Sequence, residues 1–165
     1  MRVYIPATLA ALQALVDNGE MVARSATAFA VTPALREAYA HGDDDELAEV
    51  AIAEAALASL RLLADAGGQS DLPLRRAVVV ADAEAVPRPD LDAAVVRLSG
   101  PVSLDQVAAV YVDNPAAESA VAAAVAVIDS ADLGDEDAEL TVGDAQDHDL
   151  AWYATQELPF LLDLL

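Results

Sequence analysis

Three short runs rich in valine constrain the fold of this chain more than any other feature of its sequence. They are Arg76 to Ala81, Ala93 to Leu98 and Val107 to Val112, and proline and glycine residues lie between them. Runs of this length with many β-branched residues are typical of strands, and the turn-forming residues between them favour separate strands. Their nearly continuous apolar character predicts the centre of a sheet that helices cover on one or both faces.

A long helix is predicted immediately before these runs. The acidic residues 43–46 suit its first turn, because carboxylates are favourable at the positive end of the helix dipole, and the helix reaches about Ala66. Apolar residues three and four positions apart predict its buried face, which consists of Val50, Ala53, Leu57, Leu60 and Ala64. Gly67 and Gly68 end this helix, and Gln69 to Leu74 is predicted to be a loop.

Shorter elements complete the pattern. Residues 2–6 predict a strand, residues 28–31 a short edge strand, and Thr8 and Thr32 the caps of two helices. After Asn114 and Pro115 we expect another helix, whose buried face contains Ala117, Val121, Ala124, Val125 and Ile128. In the C-terminal part we expect a helical turn within Asp135 to Val142, a strand at Leu150 to Ala154 and a short helix over Glu157 to Leu165.

Strands that alternate with helices predict the fold class. We expect a single α/β domain over residues 1–165, in the form of an α+β layered sandwich. A ferredoxin-like sheet with added helices is the topology that we favour, and an open doubly wound sheet is the alternative.

The residue types that the sequence lacks exclude several classes of enzyme. The chain contains no cysteine and no lysine, so all eight basic residues are arginines. Thiolate nucleophiles, iron–sulfur clusters, Schiff-base chemistry and the lysine of a phosphate-binding loop are therefore excluded. The sequence also has no G-x-G-x-x-G, G-x-S-x-G or H-E-x-x-H motif.

Acidic residues dominate the charge of the chain. The 29 acidic residues outnumber the 8 basic ones, and the formal net charge is −21 at pH 7. Residues 98–165 are the most acidic part, with fourteen acids and no arginine. Such a surface repels phosphate backbones and anionic membranes, and it attracts basic proteins and divalent cations. We therefore expect a basic protein partner, and neither direct nucleic-acid binding nor membrane association.

A cytoplasmic location is expected from the apolar segments. Residues 116–128 are apolar but number only 13, whereas a helix that spans a bilayer needs about 20 residues. Residues 1–6 lack the unbroken apolar stretch of a secretory signal peptide.

One acidic segment near the C-terminus combines the residue types of a reactive site. Asp144 and Asp147 to Asp149 place three carboxylates beside His148, one of only two histidines. Imidazole and carboxylate groups are common ligands of zinc, manganese and iron, so the candidate metal ligands are Asp144, Asp147 and His148. The candidate catalytic residues are His148, Asp147, Asp149 and Glu157. We predict no specific cofactor, although this ligand set suits a divalent metal.

The same segment has a purely structural interpretation. If it is extended, Asp147 and Asp149 point to the face opposite His148, and the three cannot all bind one metal. The segment is then a solvated acidic turn that precedes a strand. Trp152, the sole tryptophan, lies in that strand and is predicted to be buried in the core.

Residues at strand ends form a second set of candidates. Ligands of α/β sheets bind beyond the carboxyl ends of strands, where helix N-termini direct their N–H groups. In this chain those positions are Thr8, Asp82, Asp113 and Asn114, which suit a small polar ligand or a cation. Ordinary helix capping is the alternative explanation.

Three segments resemble a family of small actinobacterial proteins of unknown function. They are Met1 to Thr8, Ala28 to Glu37 and Asp147 to Tyr153, and the resemblance extends over nearly the whole chain. It implies a compact cytosolic protein from a high-GC Gram-positive bacterium. It implies no activity and no catalytic residue.

Two functions remain open on the sequence. We favour a non-enzymatic interaction or regulatory protein whose anionic surface docks on a basic partner. The alternative is a small metal-binding protein or hydrolase-type enzyme that uses Asp144, Asp147, His148 and Asp149. Carboxylates that converge on His148 in a concave pocket would favour the enzyme, and carboxylates spread over a convex face would favour the partner.

The charge imbalance leads to the first prediction. A chain of 17.1 kDa with a net charge of −21 repels itself when folded, and salt screens this repulsion. The midpoint of thermal unfolding should therefore rise between low and physiological ionic strength, as measured by circular dichroism. A midpoint that does not change would show that the acids are compensated locally.

Overall fold

A seven-stranded antiparallel sheet forms the centre of the fold in a computed structural model, which describes residues 1–67 and 71–165. Its strands, in chain order, are β1 (Arg2–Ala7), β3 (Thr27–Phe29), β4 (Ala77–Asp82), β5 (Ala85–Pro87), β6 (Val95–Leu98), β8 (Val107–Asp113) and β9 (Leu150–Ala154). Their order in the sheet is β5-β6-β3-β1-β4-β8-β9, and β9 is therefore an edge strand. Two further strands, β2 (Glu20–Met21) and β7 (Val102–Ser103), pair with each other.

Six α-helices in the described residues surround the sheet. They are α1 (Leu9–Asn18), α2 (Pro33–Ala38), α3 (Asp44–Ala66), α4 (Glu118–Asp132), α5 (Glu136–Gln146) and α6 (Leu158–Asp163). The side chains of Thr8, Thr32 and Asp43 accept hydrogen bonds from backbone N–H groups in the first turns of α1, α2 and α3, as the sequence predicts for helix caps. None of these helices combines the length and the apolar character that crossing a bilayer requires.

The two faces of the sheet carry different helices. Alternate residues of β1 and β4 point to opposite faces, as strand geometry requires. Val3, Ile5 and Val79 pack with α1 and α6 on one face. Tyr4 and Val78 pack with α2 and the N-terminal half of α3 on the other. The fold is thus an α+β sandwich with the sheet as its middle layer.

Helix α3 is longer than the sheet face that it covers. Its 23 residues extend past the end of the sheet, and its C-terminal half packs against α4 and α5. This second apolar cluster contains Leu60 and Leu63 from α3, together with Val121, Ile128 and Val142. Arg61 of α3 forms two hydrogen bonds of 2.9 Å with Asp132 of α4, and its guanidinium lowers the pKa of that carboxyl.

The α+β class predicted from the sequence is confirmed, but the topology differs in two respects. Every strand pair of the described sheet is antiparallel, so the open doubly wound alternative, which needs parallel strands, is wrong. The ferredoxin-like topology is not confirmed, because the helical pair α2 and α3 lies between β3 and β4 in a sheet of seven strands. The predicted edge strand at residues 28–31 is internal, since β3 pairs with both β1 and β6.

The buried face of α3 differs from the predicted one. Of the five residues in the predicted stripe only Leu60 is buried, and Ala53 is exposed. The observed buried residues are Leu47, Ala51, Ala55, Ala56, Ser59, Leu60 and Leu63. Alanine is frequent on every side of this helix, so its sequence could not define the face. For α4, the buried residues Val121, Ala124 and Ile128, with Ala117 just before the helix, confirm the predicted face, although Val125 is only half-buried.

The loop predicted at Gln69 to Leu74 is described only in part. Gly68, Gln69 and Ser70 lie outside the described residues. Residues 71–76 belong to no helix or strand, which agrees with the prediction.

A buried serine connects α3 to the sheet and provides a test of this packing. Ser59 Oγ donates to the carbonyl of Ala7 at 2.7 Å and accepts from the N–H of Ala77 at 3.1 Å. Ser59→Ala leaves both backbone groups without their partner, and we expect the free energy of unfolding to fall by about 1–3 kcal/mol. Chemical denaturation measures this change. Ser130→Ala, at an exposed position of α4, is the matched control and should change stability by less than about 0.5 kcal/mol.

Candidate functional site

A groove lies where α3 leaves the end of the sheet uncovered. Helix α3 packs mainly over β1, β3 and β4, and Tyr111 of β8 and Leu150 of β9 are only half-buried against it. The groove has a volume of about 530 Å³ and is lined by Glu49, Ile52, Ala53 and Ala56 of α3 and by Arg76, Tyr111, Gln146, His148, Asp149 and Leu150.

Aromatic and aliphatic side chains form the floor of the groove. Tyr111 of β8 lies opposite Trp152 of β9 in the strand register, and cross-strand partners project from the same face of the sheet. Leu150 lies two residues before Trp152 and projects from that face as well. Tyr111 is half-buried, whereas Trp152 is 58% exposed at the free edge. The floor of the groove thus continues onto an open aromatic surface.

A buried ion pair supports the inner end of the groove. Arg76, which is 1% exposed, donates from Nε and Nη2 to the two carboxylate oxygens of Asp113 at 2.9 and 2.7 Å. The backbone N–H of Arg76 also donates to Asp113 Oδ2, at 2.7 Å. Such bidentate geometry is the strongest arrangement of an arginine and a carboxylate. The pair connects the residue before β4 to the last residue of β8.

The same arginine holds the turn between α5 and β9. Arg76 Nη1 donates to Gln146 Oε1 at 3.2 Å, and Nη2 donates to the backbone carbonyl of His148 at 2.8 Å. Gln146 is the last residue of α5, and His148 lies two residues before β9. Arg76 therefore fixes where His148 and Asp149 enter the groove.

The structure separates the predicted site residues. His148 and Asp149 line the groove, but Asp144 and Asp147 do not line it and are exposed. Glu157 lies beyond the other end of β9, where its Oε1 accepts a hydrogen bond of 2.9 Å from the backbone N–H of Ala154. Within the described ranges, no three histidine or acidic side chains come close enough together to hold a metal ion.

Two of the predicted acids lie at an unfavourable helix end. Asp144 is in the last turn of α5 and Asp147 is its C-terminal cap, and no basic residue lies in that turn. A carboxylate near a helix C-terminus opposes the dipole, which costs about 0.3–1 kcal/mol. Helix capping explains Asp135, the N-cap of α5, whose side chain accepts a hydrogen bond from the N–H of Ala138. It does not explain the acids at the end of α5 beside the groove.

Trp152 is exposed, whereas the sequence predicts that it is buried. The prediction placed it in the core, but 58% of this residue is exposed. Tryptophan in an apolar strand was reasonably assigned to the interior. The prediction was wrong because β9 is an edge strand and Trp152 belongs to none of the apolar clusters of the described residues.

The candidates at strand ends do not form one site. Strand β4 runs antiparallel to β1 and β8. Its carboxyl end, with Asp82, therefore lies at one end of the sheet, and the carboxyl ends of β1 and β8 lie at the other. Asp82 forms an ion pair with Arg2 at 2.9 Å, and Thr8 caps α1. Asp113 is buried against Arg76. For Thr8 the structure thus confirms capping, the alternative explanation.

Several residues of the groove were missed by the sequence reasoning. Glu49 and Ile52 lie on a side of α3 that no periodicity distinguished, and Tyr111 was assigned only to a strand. Arg76 had a detectable signal, because it is a charge at the start of an apolar run and Asp113 ends another. Two such charges of opposite sign at the ends of antiparallel neighbours indicate a pair.

Comparisons with known proteins leave the chemistry of the groove open. The sequence matches the model of a family of unknown function (DUF6912) over residues 1–162. No curated protein and no solved structure is significantly similar to the chain.

The ion pair beneath the groove leads to a stability prediction. Asp113→Asn preserves the shape of the side chain but leaves the buried charge of Arg76 without a counter-charge. Loss of one partner of a buried pair costs about 3–5 kcal/mol, and chemical denaturation should show a decrease of that size. Asp129→Asn, at an exposed position of α4, is the control and should change stability by less than about 0.5 kcal/mol. Equal effects of the two substitutions would show that the pair does not support the fold.

Proposed function

The chain belongs to this family of unknown function, and we propose from its groove that it is a non-enzymatic interaction protein that binds a basic partner. One observation carries the proposal: an open groove lined by Tyr111 is bordered by carboxylates that have no cationic partner in the part of the chain that the structure describes. Glu49 lies on the α3 side and Asp149 on the β9 side, and neither forms an ion pair within the described residues.

The arginines of the chain are mostly paired already, so positive charge for the groove acids has to come from another molecule. Seven of the eight arginines are already within 4.0 Å of a carboxylate in the described residues. Their partners do not include Asp144, Asp147 or Asp149. A cationic partner would therefore meet carboxylates that are free to pair with it, and the attraction would also raise the association rate.

The aromatic floor suits the same partner. A lysine or arginine side chain over the face of tryptophan or tyrosine gains about 0.5–1 kcal/mol at an exposed site. Trp152 and Tyr111 lie side by side on adjacent strands and provide two such rings. A segment that carries arginine or lysine residues can thus satisfy both the floor and the rim of the groove.

The alternative, a small metal-binding protein or hydrolase-type enzyme, has one observation in its favour. His148, Asp149 and Glu49 line the same groove. A catalytic or metal-bound imidazole is normally oriented by a hydrogen bond from its second ring nitrogen. The hydrogen bonds of His148 in the described structure involve its backbone N–H and carbonyl. We therefore favour the interaction protein.

Binding of a defined cationic peptide tests the proposal. The probe is a peptide of alternating valine and arginine of about ten residues, the length of a long strand. Trp152 is the sole tryptophan and lies opposite the groove residue Tyr111, so its emission reports binding beside the groove. The double variant Glu49→Gln, Asp149→Asn should raise the dissociation constant of the peptide about tenfold at low ionic strength, because each lost charge pair contributes about 0.7 kcal/mol to binding.

The control carries the same change of net charge on the opposite face of the sheet. Asp17→Asn with Glu20→Gln alters two exposed acids at the end of α1 and in β2. Its dissociation constant should stay within about twofold of that of the unmodified protein. If both double variants weaken binding equally, the protein attracts the peptide only through its net charge and the groove is not the site.

A further inference from the structure

The edge of β9 is open to another strand. Strand β9 has β8 as its neighbour and ends the sheet, and its five residues carry no charge. An edge strand presents N–H and C=O groups on which a further strand can pair. Native proteins usually protect such an edge with charged side chains or a covering element, and the residues of β9 include neither lysine nor proline.

The direction of the backbone groups along β8 follows from one hydrogen bond. The N–H of Asp113 donates to the carbonyl of Arg76 at 3.1 Å, so the backbone groups of Asp113 face β4. These groups alternate in direction along an antiparallel strand. The backbone groups of Val112 and Val110 therefore face β9.

The same alternation determines which groups of β9 are free. Ala151 and Tyr153 are the register partners of those two valines and form the hydrogen-bonded pairs with β8. Leu150 and Trp152 then direct their N–H and C=O groups away from the sheet. The side chains of these two residues project from the groove face, so a strand paired with them would run along the open side of the groove.

The position of Ala154 agrees with this assignment. By the same alternation its N–H points outward, and it donates to Oε1 of Glu157 in the chain itself. The protein thus satisfies one outward N–H of β9 with its own side chain. No such bond is made by the N–H of Leu150 or Trp152 in the described structure.

Charge determines what can occupy this edge. Asp147 and Asp149 precede β9, and Glu157 follows it. A second copy paired antiparallel on β9 would bring these acids close to those of its partner, and each copy has a net charge of −21. Repulsion between these like charges disfavours pairing of two copies, whereas the same acids attract a basic strand.

We propose that the basic partner binds as an extended strand added to the edge of β9, with its cationic side chains over Tyr111 and Trp152. This inference rests on the proposed function, because it specifies how the same groove holds its partner. Main-chain hydrogen bonds to Leu150 and Trp152 would give affinity, and the aromatic rings and rim carboxylates would select arginine or lysine at alternate positions.

Backbone methylation of the valine–arginine peptide tests the strand addition. One peptide carries N-methyl groups on every arginine and the other on every valine, so their charge and side chains are identical. A strand paired with β9 directs the N–H groups of only one of these sets toward the protein. We expect one methylated peptide to bind at least about tenfold more weakly and the other to stay within about twofold of the unmodified peptide. The protein itself is unchanged, so no variant can fail to fold.

The outcomes separate this inference from the proposed function. Equal effects of the two methylations, with either both peptides bound or neither, overturn the strand addition, while the proposed function stands on the unmodified peptide and the groove variants. An unmodified peptide that does not bind overturns both.

Sedimentation velocity of the protein alone tests whether a second copy of the chain occupies the edge of β9. We expect a monomer at all ionic strengths. A dimer that forms as salt is added and disappears in Trp152→Arg would mean that a second copy occupies the edge, and it would overturn the assignment to a basic partner.

Discussion

The buried ion pair between Arg76 and Asp113 is the interaction on which the groove depends. Burying two charges is expensive, and it is tolerated only where hydrogen bonds satisfy both groups. Asp113 accepts three hydrogen bonds from Arg76, and Arg76 donates two more to Gln146 and to the carbonyl of His148. Through these bonds Arg76 joins the end of β8, the end of α5 and the turn before β9. The ends of β8 and α5 and the start of β9 are therefore held in one arrangement, and the entry of His148 and Asp149 into the groove follows from it.

Helix α3 determines that this end of the sheet stays open. The N-terminal half of α3 packs on the sheet, and most of the buried residues in its C-terminal half pack on α4 and α5. The helix packs mainly on β1, β3 and β4, and it covers Tyr111 of β8 and Leu150 of β9 only in part. On the opposite face, α6 supplies Leu158 and Leu161 to the core. The exposed aromatic surface is thus a consequence of how one long helix divides its length between two apolar clusters.

Local sequence patterns were sufficient for the elements and insufficient for their surroundings. The valine-rich runs were predicted correctly as strands and the α4 stripe as a buried face, because β-branched runs and a spaced apolar face are local properties. The predicted place of the runs at the centre of the sheet holds only for β4, since β6 and β8 each lie next to an edge strand. The α3 face was predicted wrongly, because alanine lies on all its sides and packing partners distant in sequence decide which side is buried. Trp152 was misassigned for a related reason, since the exposure of a strand residue depends on whether that strand is central or at an edge. His148 and Asp149 were found through their residue types, whereas Glu49 and Tyr111 reach the groove only through the tertiary structure.

The acidic residues and the uncharged edge strand both affect which chains can pair with the open edge of the sheet. An open apolar edge favours pairing with any extended chain, including another copy of the protein. Charges within the strand would prevent all such pairing, but β9 has none. Acids placed beside it, at Asp147, Asp149 and Glu157, instead make the outcome depend on the charge of the incoming chain. In the interaction that we propose, they would repel a second copy and attract a basic segment. Of the three, Asp147 caps the C-terminal end of α5, where a carboxylate opposes the helix dipole. The position of Asp147 is therefore not explained by the stability of α5, and in the interaction that we propose it helps to select between partners.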